Sequence, residues 1–270
     1  SNTAIKYGNV TQATKIYDGT QTVKRNESAD FRTVKGYIEK AEMQVGTQTV
    51  NLYGRMSVTS ATYDDTKDVN NGTAQGVTYK LTYTPANDGN IVLAPNAELK
   101  ATGTGVITKR DVNVTVKNPL TKAYDAGTAV KDSAGNLITE GVLNNLITLD
   151  GLTKDDDAAV TKSDGTTYTT TAVYTDRNAG TGKQVNYTLT LDTNAGNYNL
   201  RYTNAADHGT YFSTGDNTIT RRKVNVDFDD VNKEYDGTPT NTSITPSVSA
   251  ADAAVLSQDN AARVSGTTIT

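Results

Sequence analysis

Apolar residues recur at every second position in short runs along this chain. Val112, Val114 and Val116 alternate with Asn113 and Thr115, and Val224, Val226 and Phe228 alternate with Asn225 and Asp227. Tyr187, Leu189 and Leu191 are separated by threonines, Tyr79, Leu81 and Tyr83 behave alike, and Tyr198, Leu200 and Tyr202 form another set. A period of two puts one face of a strand on a core and the other in water. It predicts antiparallel sheets packed face to face rather than a buried parallel sheet. Asp18-Gly19, Asn71-Gly72, Asp88-Gly89, Asp150-Gly151, Asp164-Gly165 and Asp236-Gly237 punctuate the runs, and such pairs accept positive φ and close tight turns. Helix is expected only as a turn or two within Val142 to Leu149 and again near Asp252 to Leu256.

The runs belong to a repeat. Lys15-Ile16-Tyr17-Asp18-Gly19-Thr20 returns as Lys122-Ala123-Tyr124-Asp125-Ala126-Gly127-Thr128 and as Lys233-Glu234-Tyr235-Asp236-Gly237-Thr238, with the tyrosines 107 and 111 residues apart. The second copy reads as carrying Ala126 inserted before Gly127, which alters its turn. Ile107-Thr108-Lys109-Arg110 before the second copy matches Ile219-Thr220-Arg221-Arg222 before the third, and Asp68-Val69-Asn70-Asn71-Gly72-Thr73 matches Asp176-Arg177-Asn178-Ala179-Gly180-Thr181. Blocks that keep their order at this period describe domains in series. The domains expected are 1–108, 109–220 and a partial third at 221–270. The third stops well short of the others, so the chain is expected to be a piece of a longer protein. No Gly/Ser linker separates Ile107 from Val112 or Ile219 from Val224, and such short junctions predict a semi-stiff rod.

Composition agrees with strands. Thr is abundant, Asp outnumbers Glu, and Leu, Met and Phe are scarce. Thr, Val and Tyr favour strands, while Asp, Asn and Gly favour turns. A repeat of this size can bury a core without staples. The chain has no cysteine, which excludes disulfides and thiolate metal sites. The net charge of −4 comes from interspersed acids and bases, with no basic stripe for nucleic acid. No apolar run reaches the roughly 18–20 residues of a membrane helix. The fold class expected is all-β: elongated β-sandwich-like domains, Ig-like or β-grasp-like, arranged end to end.

Candidate chemistry is sparse. Tyr17, Asp18 and Gly19, with Tyr124, Asp125 and Gly127 and with Tyr235, Asp236 and Gly237, read as a structural turn: the ring packs into the core, Asp caps the turn and Gly supplies positive φ. His208 is the only histidine, so a Ser-His-Asp triad or a zinc site would need it; it reads as an ordinary loop residue. Asp155-Asp156-Asp157, Asp227 to Asp230 and Asp64-Asp65 offer oxygens for calcium, but none follows an EF-hand or nonapeptide pattern, and solvated acidic turns are expected. Tyr168, Tyr174 and Tyr211 are the tyrosines least tied to a core face and so the candidates for stacking on sugar rings, although core or rim packing is the expectation for each. Lys109-Arg110 and Arg221-Arg222 stand at the junctions, either bridging a neighbouring carboxylate or solvated. No catalytic residue, cofactor or metal is expected.

The Lys-x-Tyr-Asp-Gly-Thr motif, together with Leu149-Asp150-Gly151-Leu152, Asp176 to Val185, Ala195-Gly196-Asn197-Tyr198 and Ile219-Thr220-Arg221-Arg222, resembles the YDG and MBG repeat domains of bacterial surface or secreted adhesins of the filamentous-haemagglutinin type. The resemblance implies a non-enzymatic stalk or spacer at the cell surface or outside the cell, extending a distal binding region. It also implies that host or matrix glycans or proteins are met through the parent adhesin, in cell adhesion or biofilm. The alternative is a repeat that itself binds glycans or matrix proteins by avidity. Either way, this segment is expected to be monomeric, to bind no nucleic acid and to insert in no membrane. Adhesin domains also suggest a Lys–Asn or Lys–Asp isopeptide crosslink, for which no trio of residues stands out.

Overall fold

The structure is a computed structural model that describes residues 5–8, 10–25, 29–30, 37–70, 72–85, 87, 99–152, 166–202, 210–240, 245–260 and 264–269. The chain is predominantly β. In its first part run β1 (Lys6–Gly8), β2 (Ala13–Ile16), β3 (Lys24–Arg25), β4 (Ala29–Asp30), β5 (Lys40–Val45), β6 (Gln48–Asn51), β7 (Met56–Tyr63), β8 (Gln75–Tyr83) and β9 (Lys100–Thr108). Then come β10 (Arg110–Val116), β11 (Thr121–Ala123), helix α1 (Glu140–Leu146), β12 (Ile147–Asp150), β13 (Tyr168–Tyr174), β14 (Gly180–Leu191), β15 (Tyr198–Tyr202) and β16 (Tyr211–Thr220). The last part holds β17 (Asp227–Phe228), β18 (Pro246–Ser247), helix α2 (Ala250–Asn260), β19 (Val264–Ser265) and β20 (Thr268–Ile269).

Two four-stranded sheets have the same plan, β2-β9-β8-β7 and β11-β16-β14-β13. In each, the motif strand lies beside the last strand of its sheet in parallel: Ala13 faces Gly105 and Ile16 faces Thr108, and Thr121 faces Thr218 and Ala123 faces Thr220. The neighbouring pairs β8–β9 and β14–β16 are antiparallel. A third sheet runs β12-β10-β15, with β10 and β15 parallel from Arg110↔Tyr198 to Val114↔Tyr202. The expectation of purely antiparallel sheets is therefore corrected. Side-chain alternation reports which face is buried but not strand direction, and the parallel pairs arise between segments about 90 residues apart, a separation that no hairpin turn dictates.

The chain contributes to two compact units: residues 1–114, 149–168 and 191–209 form the first, and 115–148, 169–190 and 210–270 the second. The core of the first gathers Tyr17, Tyr63, Tyr79, Val77, Ile38 and Leu52. Buried positions in β8 fall at every second residue; in β7 two exposed residues in succession break the rhythm at an irregularity between Val58 and Ser60, as an extra residue in one strand requires. The second buries Tyr174, Tyr187, Leu189, Ile219 and, unusually, Lys122, with Tyr187 stacked on Phe212 at 4.9 Å between centroids. Val112 and Val114 are buried as their alternation predicts, whereas Val226 and Phe228 are exposed. Of that run, Asp227 and Phe228 pair with Ser247 and Pro246 in a two-residue register, and among the described residues nothing buries the side chains of Val226 and Phe228. Of the two α-helices among the described residues, α1 matches its expected length and α2 is the longer, spanning Ala250–Asn260.

Candidate functional site

The recurring motif is built around its lysine. In the first copy Lys15 Nζ donates to Asp18 Oδ1 at 2.8 Å, to the Thr20 carbonyl at 2.6 Å and to the Thr22 carbonyl at 2.8 Å. In the second, Lys122 Nζ donates to Asp125 Oδ1 at 2.8 Å, to the Gly127 carbonyl at 2.7 Å and to the Ala129 carbonyl at 2.9 Å. The third repeats the set, with Lys233 Nζ to Asp236 Oδ1 at 2.8 Å and to the carbonyls of Thr238 and Thr240 at 2.6 and 2.8 Å. One ammonium thus ties together a carboxylate and two backbone carbonyls of the loop that follows. The same Asp oxygen accepts the backbone N–H two residues on, from Thr20, Gly127 or Thr238, which is the Asx turn expected of Asp before Gly.

The turn also settles the alignment of the second copy. Ala126 stands at φ +62°, where Gly19 has +79° and Gly237 has +78°. Lys122 reaches the carbonyls five and seven residues on, as Lys15 and Lys233 do. Ala126 is therefore a substitution at the left-handed position and not an insertion, and Gly127 corresponds to Thr20. The expectation that Gly127 supplies the positive φ is corrected accordingly.

Burial separates the copies. The Lys15 and Asp18 side chains are 1% and 5% exposed, and Lys122 and Asp125 1% and 13%, whereas Lys233 and Asp236 are 31% and 56% exposed. In each buried copy a tyrosine ring covers the ammonium, Tyr63 over Lys15 and Tyr174 over Lys122, both at 5.3 Å from the centroid. A desolvated cation over an aromatic face is attracted to the ring. A second lysine, Lys24 or Lys131, pairs with the other oxygen of the same aspartate. Burial raises the Asp18 carboxyl, but the Lys15 hydrogen bond and charge and the Thr20 donors outweigh it and leave it below the usual range. Asp125 is likewise raised by burial and then drawn down to about 2 by Lys122, Lys131 and the Gly127 N–H. Burial, with the Asp125 charge behind it, pushes the Tyr174 phenol up to about 12.

The motif tyrosines do not share one environment. Tyr17 is fully buried, with the edge of Tyr198 packed on it at 5.4 Å, Tyr124 is half-buried, and Tyr235 is 96% exposed. The expectation of a core ring in every copy holds only for the first, where the core of the first unit and the ring of Tyr198 cover Tyr17. Among the sugar-stacking candidates, Tyr174 is withdrawn: it is 1% exposed and is the ring over Lys122. Tyr168 is half-buried against the core of the first unit, and Tyr211 on β16 is 79% exposed. At the second junction Arg222 pairs with Asp252 of α2 at 2.7 Å. Asp64 accepts the Thr78 hydroxyl at 2.8 Å. Among the described residues no three acids or histidines gather as metal ligands, and His208 and Asp155 to Asp157 lie outside the described residues.

Sequence reasoning missed the lysine, Lys24 and Lys131, and the covering rings Tyr63 and Tyr174. Lys precedes Tyr by two in every copy, and a lysine stands nine residues after it in the first two; that recurrence was the available clue. Asn217 was also missed. It is fully buried, accepts the Leu120 N–H at 2.8 Å and donates to the Lys183 carbonyl at 3.0 Å.

Fold and motif together define a predominantly β domain whose motif strand pairs in parallel with the last strand of its sheet and runs into a lysine-centred turn. Residues 108–206 match the family model of the YDG domain, a span that contains the second copy of the motif with its buried Lys122. No curated protein and no solved structure matches the chain.

Proposed function

We propose that this chain is a load-bearing spacer, a series of repeat domains in the stalk of a bacterial cell-surface or secreted adhesin. It holds a distal binding region away from the cell, with host or matrix glycans or proteins met by other parts of the parent protein. Its work is mechanical and needs no catalytic residue, cofactor or metal.

The observation that carries this reading is the parallel pairing of motif strand and last strand, β2 with β9 and β11 with β16. When such a sheet is pulled from its two ends, parallel terminal strands slide past each other. Their hydrogen bonds are then loaded together, whereas strands peeled from an edge give up one bond at a time. The lysine turn reinforces the same place. Lys15 and Lys122 sit on those strands and tie them to the backbone that follows. One residue, Lys109, separates β9 from β10, so tension passes from strand to strand with little slack.

The test is single-molecule force spectroscopy on the chain tethered at its ends. Forced unfolding reports the unfolding rate under load. The expected record has discrete unfolding events at high force, moved to lower force by Lys15→Met and Lys122→Met. Extension without discrete events, or at forces those variants leave unchanged, would refute the load-bearing role.

A further inference from the structure

The motif tyrosine has a task that the lysine turn does not require. In the first copy Tyr17 receives Tyr198 edge-on at 5.4 Å with an 84° interplanar angle. Beside it, in the loop after β7, Asp68 Oδ1 accepts from Asn197 Nδ2 at 2.9 Å and the Val69 N–H donates to Asn197 Oδ1 at 2.8 Å. In the second copy the hydroxyl of Tyr124 donates to Asp259 Oδ1 in a short hydrogen bond, and Arg177, in the loop after β13, pairs with the same carboxylate at 3.4 Å. The two loops are the sequence blocks that correspond, Asp68-Val69-Asn70 and Asp176-Arg177-Asn178. Each contact lies within a single compact unit, the first in the first and the second in the second. Twice, then, the same pair of elements, motif tyrosine and Asp-bearing loop, meets a segment of the following repeat.

We propose that the motif tyrosine is the docking residue by which each repeat seats the next, and that Tyr235 is an open docking residue of the same kind, fitted to a further repeat of this type. The first joint is dry and aromatic. The second is held by polar contacts: Tyr124 and Arg177 meet the Asp259 carboxylate, beside an open cleft of about 440 Å³ whose lining mixes Arg221, Arg222 and Asn178 with Val224, Val255 and Leu256. Asp259 is in the last turn of α2, where a carboxylate opposes the helix dipole. Its position there is explained by its two partners on the preceding repeat rather than by the helix itself. Tyr124 holds its proton more tightly than a free tyrosine, chiefly because it donates to Asp259. By the same plan Tyr235, at 96% exposure, presents a whole aromatic ring to solvent on the face that is occupied in the earlier copies.

The proposal stands apart from load bearing, since a joint can seat repeats whether or not their sheets resist force. Because the chain has no cysteine, Thr171→Cys on β13 and Ala254→Cys on α2 place two spin labels uniquely, both at exposed positions. Pulsed electron paramagnetic resonance then reads the distance distribution between them. Tyr124→Phe removes only the hydroxyl, and its melting curve checks that the fold is kept. It is expected to roughly double the width of the distribution by releasing a locally closed contact, with Asp259→Asn, which weakens both partners' bonds, doing the same. Tyr235→Ala is expected to leave the width unchanged. An unaltered distribution in both Tyr124→Phe and Asp259→Asn, or equal broadening in Tyr235→Ala, would overturn the proposal.

Discussion

Replacing Lys122 by methionine isolates the motif's contribution to stability, because methionine keeps the length and apolar stem of lysine while removing the charge. The change deletes three hydrogen bonds of 2.7–2.9 Å and the contact with the Tyr174 ring. Asp125 keeps Lys131 and the Gly127 N–H, so its charge is not stranded. The carbonyls of Gly127 and Ala129 lose their donor in a site where Lys122 is 1% exposed. Each unsatisfied acceptor costs about 1–3 kcal/mol. With Asp125 still paired, the two bare carbonyls set the scale, so a loss of about 2–4 kcal/mol is expected for Lys122→Met. Lys233→Met deletes the same bonds where the lysine and aspartate are 31% and 56% exposed; water replaces them, and the loss is expected to stay below about 1 kcal/mol. Urea unfolding followed by far-ultraviolet circular dichroism measures both, with transitions resolved for the two compact units, since a single two-state fit would mix them. A Lys122→Met loss under about 1 kcal/mol, or a Lys233→Met loss of equal size, would refute the argument that burial gives the same geometry its weight.

Acid should attack the same site. The folded-state carboxyl of Asp125 is near 2, below the unfolded value of about 3.9, so its contribution is complete above about pH 4 and is lost as pH falls toward 2; stability measured against pH should fall over that window, and should fall less steeply in Lys122→Met. Tyr174 works in the other direction: its phenol is raised to about 12, so its contribution is intact below about pH 10 and is lost as pH rises toward 12, which ultraviolet titration of the phenolate checks. Gly19→Ala should cost only about 1 kcal/mol by thermal melting, the strain of an L-residue in the left-handed region that Ala126 already bears at φ +62°, while the β-branched Gly19→Val should cost more. Gly105→Ala should cost about 1–3 kcal/mol by overpacking, because its Cβ would stand 2.5 Å from Tyr63 Cε1 and 2.8 Å from Val77 Cγ2, displacing the ring that covers Lys15.

The sequence made some of this legible and hid the rest, for physical reasons. Alternation located Val112 and Val114, Tyr187 and Leu189, and Tyr79 and Leu81 on buried faces, because a strand's two faces are written into successive residues. Asp-Gly pairs located the positive φ of Gly19, Gly151 and Gly237 for an equally local reason. Strand direction, the rings of Tyr63 and Tyr174, and the exposure of Val226 and Phe228 were not legible. Each depends on a partner far along the chain, and no local pattern encodes which segment arrives. Sequence alone leaves Tyr174 without a clear place, a candidate for the surface although core or rim packing is favoured, because nothing adjacent to it in sequence names Lys122, 52 positions earlier, as its neighbour.

The exposed third copy explains why the motif itself recurs so plainly. Lys233 makes the same bonds to Asp236, Thr238 and Thr240 as its buried counterparts do, although no strand spans residues 229–240 and Tyr235 stands in solvent. The turn is therefore a local object, closed by residues within seven positions of the lysine, and it does not need the sheet in order to take shape. What the sheet adds is energy. Once a last strand pairs alongside and a tyrosine ring closes over the ammonium, the carbonyls lose their alternative partners in water, and the same bonds become costly to break. A turn that is preformed and then buried can guide its strand into register before the last strand arrives. That order of events predicts that the Lys-Asp turn survives in a peptide of residues 229–242. Nuclear Overhauser contacts between the Lys233 side chain and Thr240 would reveal it there, and their absence would mean that the turn is imposed by the protein around it.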